Sequence, residues 1–154
     1  MQDLADARGI SVQFVIYPYH AHTLELFRAA GLWPLFEDWK RALVARVATR
    51  GQPGQCTLWD FSGYHRYATE AVPVAGDTRD MQWYWEGGHF KPALGHRMLE
   101  RVVGSAADDP SFGTCLSPAN IETAIDAIRA SRSAYVAADP GSVASMAELF
   151  EATR

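Results

Sequence analysis

Two short runs of β-branched and aromatic residues, separated by helical patterns, restrict the fold more than any other feature of this sequence. Residues 10–17 (Ile-Ser-Val-Gln-Phe-Val-Ile-Tyr) and 56–61 (Cys-Thr-Leu-Trp-Asp-Phe) have the composition of buried strands. Between them, residues 23–31 and 33–49 carry apolar side chains at helical spacing. Because parallel strands need a crossover connection, usually a helix, this order predicts an α/β fold with a parallel sheet.

Helical patterns also occur outside this crossover, separated by polar loops at residues 66–80 and 106–114. Pro92 suits a first helical turn, and the helix that it opens should bury one face. That face would contain Leu94, Met98, Leu99, Val102 and Val103. The other expected helices are residues 2–8 with Gly9 as their cap, a helix opened by Ser117-Pro118 that ends near residue 138, and a last one opened by Asp139-Pro140.

Composition excludes several classes of protein. The chain has 154 residues, of which 48% are hydrophobic and 21% charged, as in an ordinary globular domain. A net charge of −4 gives no reason to expect binding to nucleic acid or to an anionic membrane. No run approaches the roughly 18 apolar residues of a membrane span. Cys56 and Cys115 either pair or stay as thiols, and their spacing fixes neither a compartment nor a metal site.

The best candidate for chemistry is the stretch 83–95 (Trp-Tyr-Trp-Glu-Gly-Gly-His-Phe-Lys-Pro-Ala-Leu-Gly), which is expected to be a loop feeding a helix. Glu86 stands three residues before His89. A carboxylate at this distance can hold one imidazole nitrogen and leave the other free to take a proton from a hydroxyl. The alternative is that both side chains simply face water on an exposed loop.

Two motifs resemble the second half of an SGNH (GDSL-type) hydrolase domain. Residues 60–64 (Asp-Phe-Ser-Gly-Tyr) end the second predicted strand, and residues 83–95 contain the acid-x-x-His block. The resemblance implies a partial SGNH-type, flavodoxin-like parallel sheet with flanking helices over residues 1–104, and a helical C-terminal extension over 105–154. It also implies His89 as general base, with Glu86 in place of the family's usual Asp as its orienting acid.

The implied activity is that of an esterase or O-acyltransferase acting on an acylated carbohydrate, a cell-envelope polymer or a small ester. Relatives of this kind are plausibly membrane-anchored, and the compartment of this chain stays open. The family's Gly-Asp-Ser block and its Gly and Asn oxyanion donors are not found here. The chain is therefore expected to be the C-terminal part of a larger domain and inactive alone. Ser62 and the Thr78 of Gly76-Asp77-Thr78 are weak internal candidates for the nucleophile, and Ser62 fits a strand-ending turn better.

Three other side chains are expected to bind substrate. His20, at the end of the first strand, is expected to line a substrate pocket with Tyr84 and Trp85, although an aromatic cluster is more often core or interface. The weaker alternative is a metal site with Glu86 or Asp60 as the carboxylate and ligands from the five histidines, His20, His22, His65, His89 and His96. No cofactor is expected. The alternative to an enzyme is an interaction module that self-associates through an open sheet edge.

Overall fold

A computed structural model describes residues 4–5, 7–47, 56–73, 76–104, 109 and 111–153. It contains five strands and five helices within these ranges. The strands are β1 Phe14–Ile16, β2 Leu58–Asp60, β3 Tyr84–Glu86, β4 His89–Phe90 and β5 Thr114–Cys115. The helices are α1 Ala21–Ala29, α2 Trp33–Val47, α3 Pro92–Val102, α4 Ile121–Ala138 and α5 Pro140–Ala152.

The central sheet has the order β1-β2-β5. β1 and β2 are parallel, with Ile16 opposite Asp60, so the predicted helical crossover between the two strands is confirmed. β5 is antiparallel to β2, with Cys115 opposite Trp59, so the expectation of a purely parallel sheet was wrong. β5 is only two residues long and lies at the end of a polar, glycine-containing loop. It therefore lacks the run of apolar residues from which a strand is predicted. The α/β class is correct, and the central sheet is mixed.

Successive residues of β2 point to opposite faces of the sheet, and each face has its own apolar cluster. Leu58 belongs to a cluster packed between the sheet and helices α2 and α4, whose members are Ile16, Val44, Val47, Leu58, Leu116, Ile121 and Ile125. Trp59 belongs to the cluster on the other face, made of Trp59, Phe61, Tyr67, Met81, Tyr84, Leu94, Met98 and Phe112. β5 and α4, from the segment assigned to the C-terminal extension, thus share the sheet and its core.

Several predicted boundaries change. α4 begins at Ile121, because the side-chain oxygen of Asn120 accepts from the amide of Ser117 at 2.8 Å and holds residues 117–120 in a turn. In α3, Leu94 and Met98 are buried as predicted, but Leu99 and the capping residue Val103 are exposed. Of the first predicted helix, residues 4 and 5 are helical and a turn ends at Gly9, which has φ 65°. Its residues 2, 3 and 6, and the turn expected at residues 51–54, lie outside the described residues.

Two buried carboxylates attach α4 to the preceding helices. Arg132 donates to Glu25 at 2.8 Å, and Arg129 donates to Glu37 at 2.6 Å. Burial alone would raise the pKa of Glu25, but hydrogen bonds from Arg132 and Tyr64 outweigh it and hold the pKa below its ordinary value. Both acids are almost fully buried, so their charges are retained only because the arginines compensate them.

A disulfide joins Cys56 and Cys115, with their Cα atoms 5.7 Å apart, which decides between the two alternatives left by the sequence. The bond connects the segment entering β2 to the short strand β5 and closes a loop with a sequence separation of 59 residues. A covalent link across so long a loop restricts the unfolded chain strongly. It therefore supports a strand that has only two residues of its own to pair.

The double substitution Cys56→Ser and Cys115→Ser is expected to lower the free energy of unfolding by about 4 kcal/mol, the loss of loop-closure entropy for a loop of this length. Urea denaturation measured with and without reductant provides the test. Reductant should shift the midpoint of the wild type toward that of the double variant and leave the variant unchanged. Identical midpoints for both proteins would contradict the stabilising role of the bond.

Candidate functional site

Glu86 and His89 lie in a β-hairpin, not in the irregular loop that the sequence suggested. Glu86 is the last residue of β3 and His89 the first of β4, and Gly87-Gly88 forms the two-residue connection that tight hairpins favour. Tyr84 pairs with Phe90 and Glu86 pairs with His89. The shift in register between Tyr84 and Glu86 leaves Trp85 without an opposite residue, as in a β-bulge.

The two side chains of the predicted pair are in contact. Glu86 Oε1 bonds His89 Nδ1, and Glu86 Oε2 accepts from the amide of Gly88 at 2.6 Å. The Gly88 amide, followed by His89, keeps the pKa of Glu86 below its ordinary value. Both side chains are open to solvent, with 78% of His89 and 57% of Glu86 exposed. With Nδ1 as the donor to Glu86, Nε2 carries the free lone pair. Among the described residues, no hydroxyl is hydrogen-bonded to Nε2.

The hairpin is fixed to the core by its first strand. The Tyr84 ring is fully buried, and its hydroxyl donates to the carbonyl of Pro18 at 2.7 Å. On the second strand, the amide of Phe90 donates to the Tyr17 hydroxyl at 3.2 Å. Pro18 and Tyr17 directly follow β1, so these bonds hold the exposed pair beside the carboxyl end of that strand, the edge where α/β sheets place ligands.

One carboxylate organises the start of the hairpin. Glu70 accepts three consecutive backbone amides, from Gln82 at 2.8 Å, Trp83 at 2.9 Å and Tyr84 at 3.0 Å. Its own carbonyl is bonded to His20 Nε2 at 2.9 Å. No pattern in the sequence indicates this role, because Glu70 belongs to the predicted polar loop 66–80 and its partners are 12 to 14 residues away.

The glycine turn is docked on the start of α1. The carbonyl of Gly87 accepts from Thr23 Oγ1 at 2.6 Å and from the amide of His20 at 3.3 Å. A Cβ atom at Gly87 would lie 2.8 Å from Thr23 Oγ1, closer than side chains approach. The first glycine of the turn is therefore required by packing against α1.

Two residues assigned to substrate binding belong to this framework. His20 is 1% exposed, donates from Nε2 to Glu70 O and accepts at Nδ1 from the amide of His22, which caps α1. Burial lowers its pKa to about 4, so the ring is neutral at pH 7. Tyr84 is equally enclosed. In this structure neither His20 nor Tyr84 presents surface to a substrate, and their role is to hold the hairpin.

The aromatic residues of the hairpin do not form one wall. Trp83 packs against Tyr67 with their ring centroids 4.7 Å apart, while Trp85 is 66% exposed. The ammonium of Lys91 lies 4.6 Å from the centroid of the Trp85 ring. Of the three predicted substrate-binding residues, only Trp85 is on the surface beside Glu86.

A cleft of about 460 Å³ opens next to Glu86, within the size range of small-molecule sites. It lies between the hairpin, α1, residues 72–73 and 79–81, and α5. The sequence analysis did not predict this cleft, because α5 lines it only by packing against elements that are far away in the sequence. Its lining residues are His22, Thr23, Leu26, Val72, Pro73, Arg79, Asp80, Met81, Trp85, Glu86, Gly87, Met146 and Leu149.

The internal nucleophile candidates have other partners. Ser62 Oγ donates to Asp60 Oδ1 at 2.7 Å and accepts from Lys40 Nζ at 2.6 Å, while the same ammonium donates to Asp60 Oδ2 at 2.7 Å. The amide of Ser62 also donates to Asp60 Oδ1 at 2.9 Å, so this buried cluster forms a turn that closes the end of β2. Its structural role agrees with the predicted strand-ending turn, although the sequence did not single out Lys40. Thr78 is exposed, and the neighbouring Asp77 binds Arg79 at 2.6 Å.

The metal hypothesis finds no site among the described residues, where no three His, Cys, Asp or Glu side chains group closely enough to share an ion. Both ring nitrogens of His20 are already hydrogen-bonded. His65 is likewise internal: Nε2 donates to the carbonyl of Phe61 at 2.9 Å, Nδ1 accepts from Ala68, and burial lowers its pKa to about 4.

Comparison with known proteins gives no relative: no family model, no curated protein and no solved structure matches this chain. Within the described ranges, no helix has both the length and the apolar character to cross a membrane. What the site can do must therefore be argued from its own residues.

Glu70→Gln is expected to lower the free energy of unfolding by about 1–3 kcal/mol, because a neutral amide with one acceptor oxygen replaces a carboxylate that holds three amides. Urea denaturation measures the loss, and amide hydrogen exchange of residues 82–84 should show where it occurs. Glu148→Gln, the same change at an exposed position of α5, serves as the matched control. Equal stability of the two variants would show that Glu70 does not organise the hairpin.

Proposed function

We propose that this chain carries the general-base part of an SGNH-like esterase or O-acyltransferase, in which His89 is the base and Glu86 its orienting acid. The observation that carries the proposal is the bond between Glu86 Oε1 and His89 Nδ1 with Nε2 left open to solvent. The position of the pair, at the carboxyl end of a parallel strand, agrees with it.

The proposed reaction is a two-step acyl transfer. His89 Nε2 takes the proton of a serine hydroxyl as the serine oxygen attacks the ester carbonyl, and Glu86 stabilises the resulting imidazolium. The tetrahedral intermediate collapses, the bond to the alcohol oxygen breaks, and that oxygen receives the proton from His89. Water or a sugar hydroxyl then gives its proton to His89 Nε2 and attacks the acyl-serine. The bond between the acyl carbon and the serine oxygen breaks, the acid or the new ester is released, and the serine oxygen takes the proton from His89. We propose that the serine and the oxyanion donors come from a preceding part of a longer polypeptide.

An acylated carbohydrate of the cell envelope or a small ester remains the proposed substrate class. Trp85 supports it, because an exposed aromatic face beside the base is the surface on which a sugar ring or an apolar group can stack. The disulfide agrees with an envelope location, since such bonds persist in oxidising compartments.

The 154-residue chain alone is expected to hydrolyse p-nitrophenyl acetate no faster than background, because a base without nucleophile and oxyanion donors provides little catalysis. The product made by the native host, tagged at its C-terminus, should be larger, carry a serine block and hydrolyse the ester. In that product His89→Gln should lower kcat/KM by about 10²–10⁴-fold, and Glu86→Gln by less.

His96→Gln, which changes an exposed histidine of α3 outside the pair, provides the control and should leave kcat/KM unchanged. An active host product insensitive to His89→Gln would refute the assignment of the base. Turnover by the isolated chain that His89→Ala abolishes would instead show that the nucleophile lies within it.

A non-catalytic interaction module is the second candidate, and the edge of the sheet favours it. In the described part of the chain β1 has a neighbouring strand on one side only, and Val15 in its centre is 50% exposed. Unpaired edges of this kind add strands from other chains.

If the chain self-associates through β1, sedimentation velocity should give a dimer that Val15→Lys dissociates, because a lysine ammonium on the edge opposes strand pairing. Val103→Lys, at the exposed apolar residue that caps the C-terminal end of α3, is the control and should leave the dimer intact. A monomer at all concentrations would contradict self-association through this edge.

A further inference from the structure

The cleft beside Glu86 has walls of two kinds. One kind is apolar, with Leu26 from α1, Met81 from the loop, and Met146 and Leu149 from α5. Met146 and Leu149 are three residues apart and therefore lie on one face of α5, as Thr23 and Leu26 do on α1. Both helices thus contribute apolar side chains to the same space, Leu26 from α1 and Met146 and Leu149 from α5.

The polar end of the cleft is the end nearest the base. Thr23 is bonded to the carbonyl of Gly87, which directly follows Glu86. Leu26 lies one helical turn beyond Thr23, away from that bond. The cleft therefore adjoins the carboxylate that holds His89 and is also lined by apolar side chains of α1 and α5.

The charges around the cleft disfavour an anion. Glu86 and Asp80 contribute two carboxylates, and the guanidinium of Arg79 is bound to Asp77 at 2.6 Å. His22 also lines the cleft, and burial lowers its pKa, so it adds no positive charge at pH 7. The lining thus has two carboxylates and one guanidinium that is already paired with Asp77, so a ligand with a free carboxylate would be repelled here and a neutral one would not.

We propose that this cleft holds an unbranched alkyl chain of medium length, so that the substrate is a neutral ester of a medium-chain acid. The proposal rests on the proposed function, because it takes the chain as the acyl group of the ester attacked at His89. The ester carbonyl lies near the hairpin and the chain extends between Leu26, Met146 and Leu149. An acetyl group would leave these apolar side chains uncovered.

Binding is tested on the 154-residue chain with non-hydrolysable neutral probes, the methyl, butyl, hexyl and octyl β-glucosides, by titration calorimetry below their micellar concentrations. Between butyl and octyl, Kd is expected to fall by about three- to fourfold for each added methylene, the increment for burying that group in an apolar site. Octanoate, which has a comparable chain but a carboxylate head, should bind about tenfold more weakly than octyl glucoside.

Leu149→Arg should raise the Kd for octyl glucoside by about tenfold or more, because it removes an apolar side chain from the wall of the cleft. Leu149 is 48% exposed, so the change does not disturb the core. Leu99→Arg makes the same change at a leucine of α3 that is 61% exposed and outside the cleft, and it should have no effect. Met146→Trp, which fills the cleft without adding charge, should also abolish the dependence on chain length.

A Kd independent of chain length would overturn the proposal, because it would show that the alkyl chain is not buried. Equal losses in Leu149→Arg and Leu99→Arg would also overturn it, because they would indicate non-specific contact with a detergent-like molecule. His89→Ala should not change Kd, because His89 does not line the cleft. The two proposals therefore fail separately. Chain-length-dependent binding without His89-dependent hydrolysis by the host product removes the proposed activity alone, and hydrolysis without such binding removes only the cleft assignment.

Discussion

The arrangement of the site depends on one carboxylate that bonds three consecutive amides. Glu70 receives the amides of residues 82–84 and thereby fixes where β3 begins. The backbone carbonyl of Glu70 in turn accepts a hydrogen bond from His20 Nε2, and the other ring nitrogen of His20 caps α1. A helix start, a loop and a hairpin are in this way joined through two side chains, and each polar group in the junction has a partner, as buried polar groups require.

The hairpin shows how strand geometry separates structural from chemical roles. Tyr84 and Glu86 flank a bulge, so the first can be wholly buried while the second is exposed two residues later. Trp85, the extra residue, is left on the surface. The aromatic run of the sequence is thus divided between an anchor in the core and an exposed ring beside the acid. The two adjacent glycines then bring His89 back opposite Glu86.

Local signals in the sequence were the ones that could be interpreted correctly. The strand composition of β1 and β2, the helix opened by Pro92 and the helix capped by Asp139, whose side chain accepts from Ser142 at 3.0 Å, all follow from neighbouring residues. The parallel pairing of β1 with β2 was inferred from the helices between them. The Glu86–His89 contact was also predictable, because three residues separate them. Glu70, Lys40, β5 and the α5 wall of the cleft were not, since each depends on a partner 12 or more residues away that no periodicity reveals.

The exposure of the Glu86–His89 pair limits what the carboxylate can contribute as the site stands. Two unit charges 4 Å apart interact by only about 1 kcal/mol in water, and by several times more when solvent is excluded. In the open hairpin the main effect of Glu86 is therefore to fix the tautomer and direction of the imidazole. For the pair to stabilise a developing imidazolium strongly, water must be displaced from it. A polypeptide that brings a serine to His89 Nε2 would have to cover the hairpin, so the nucleophile and the dielectric environment of the base would come from the same source.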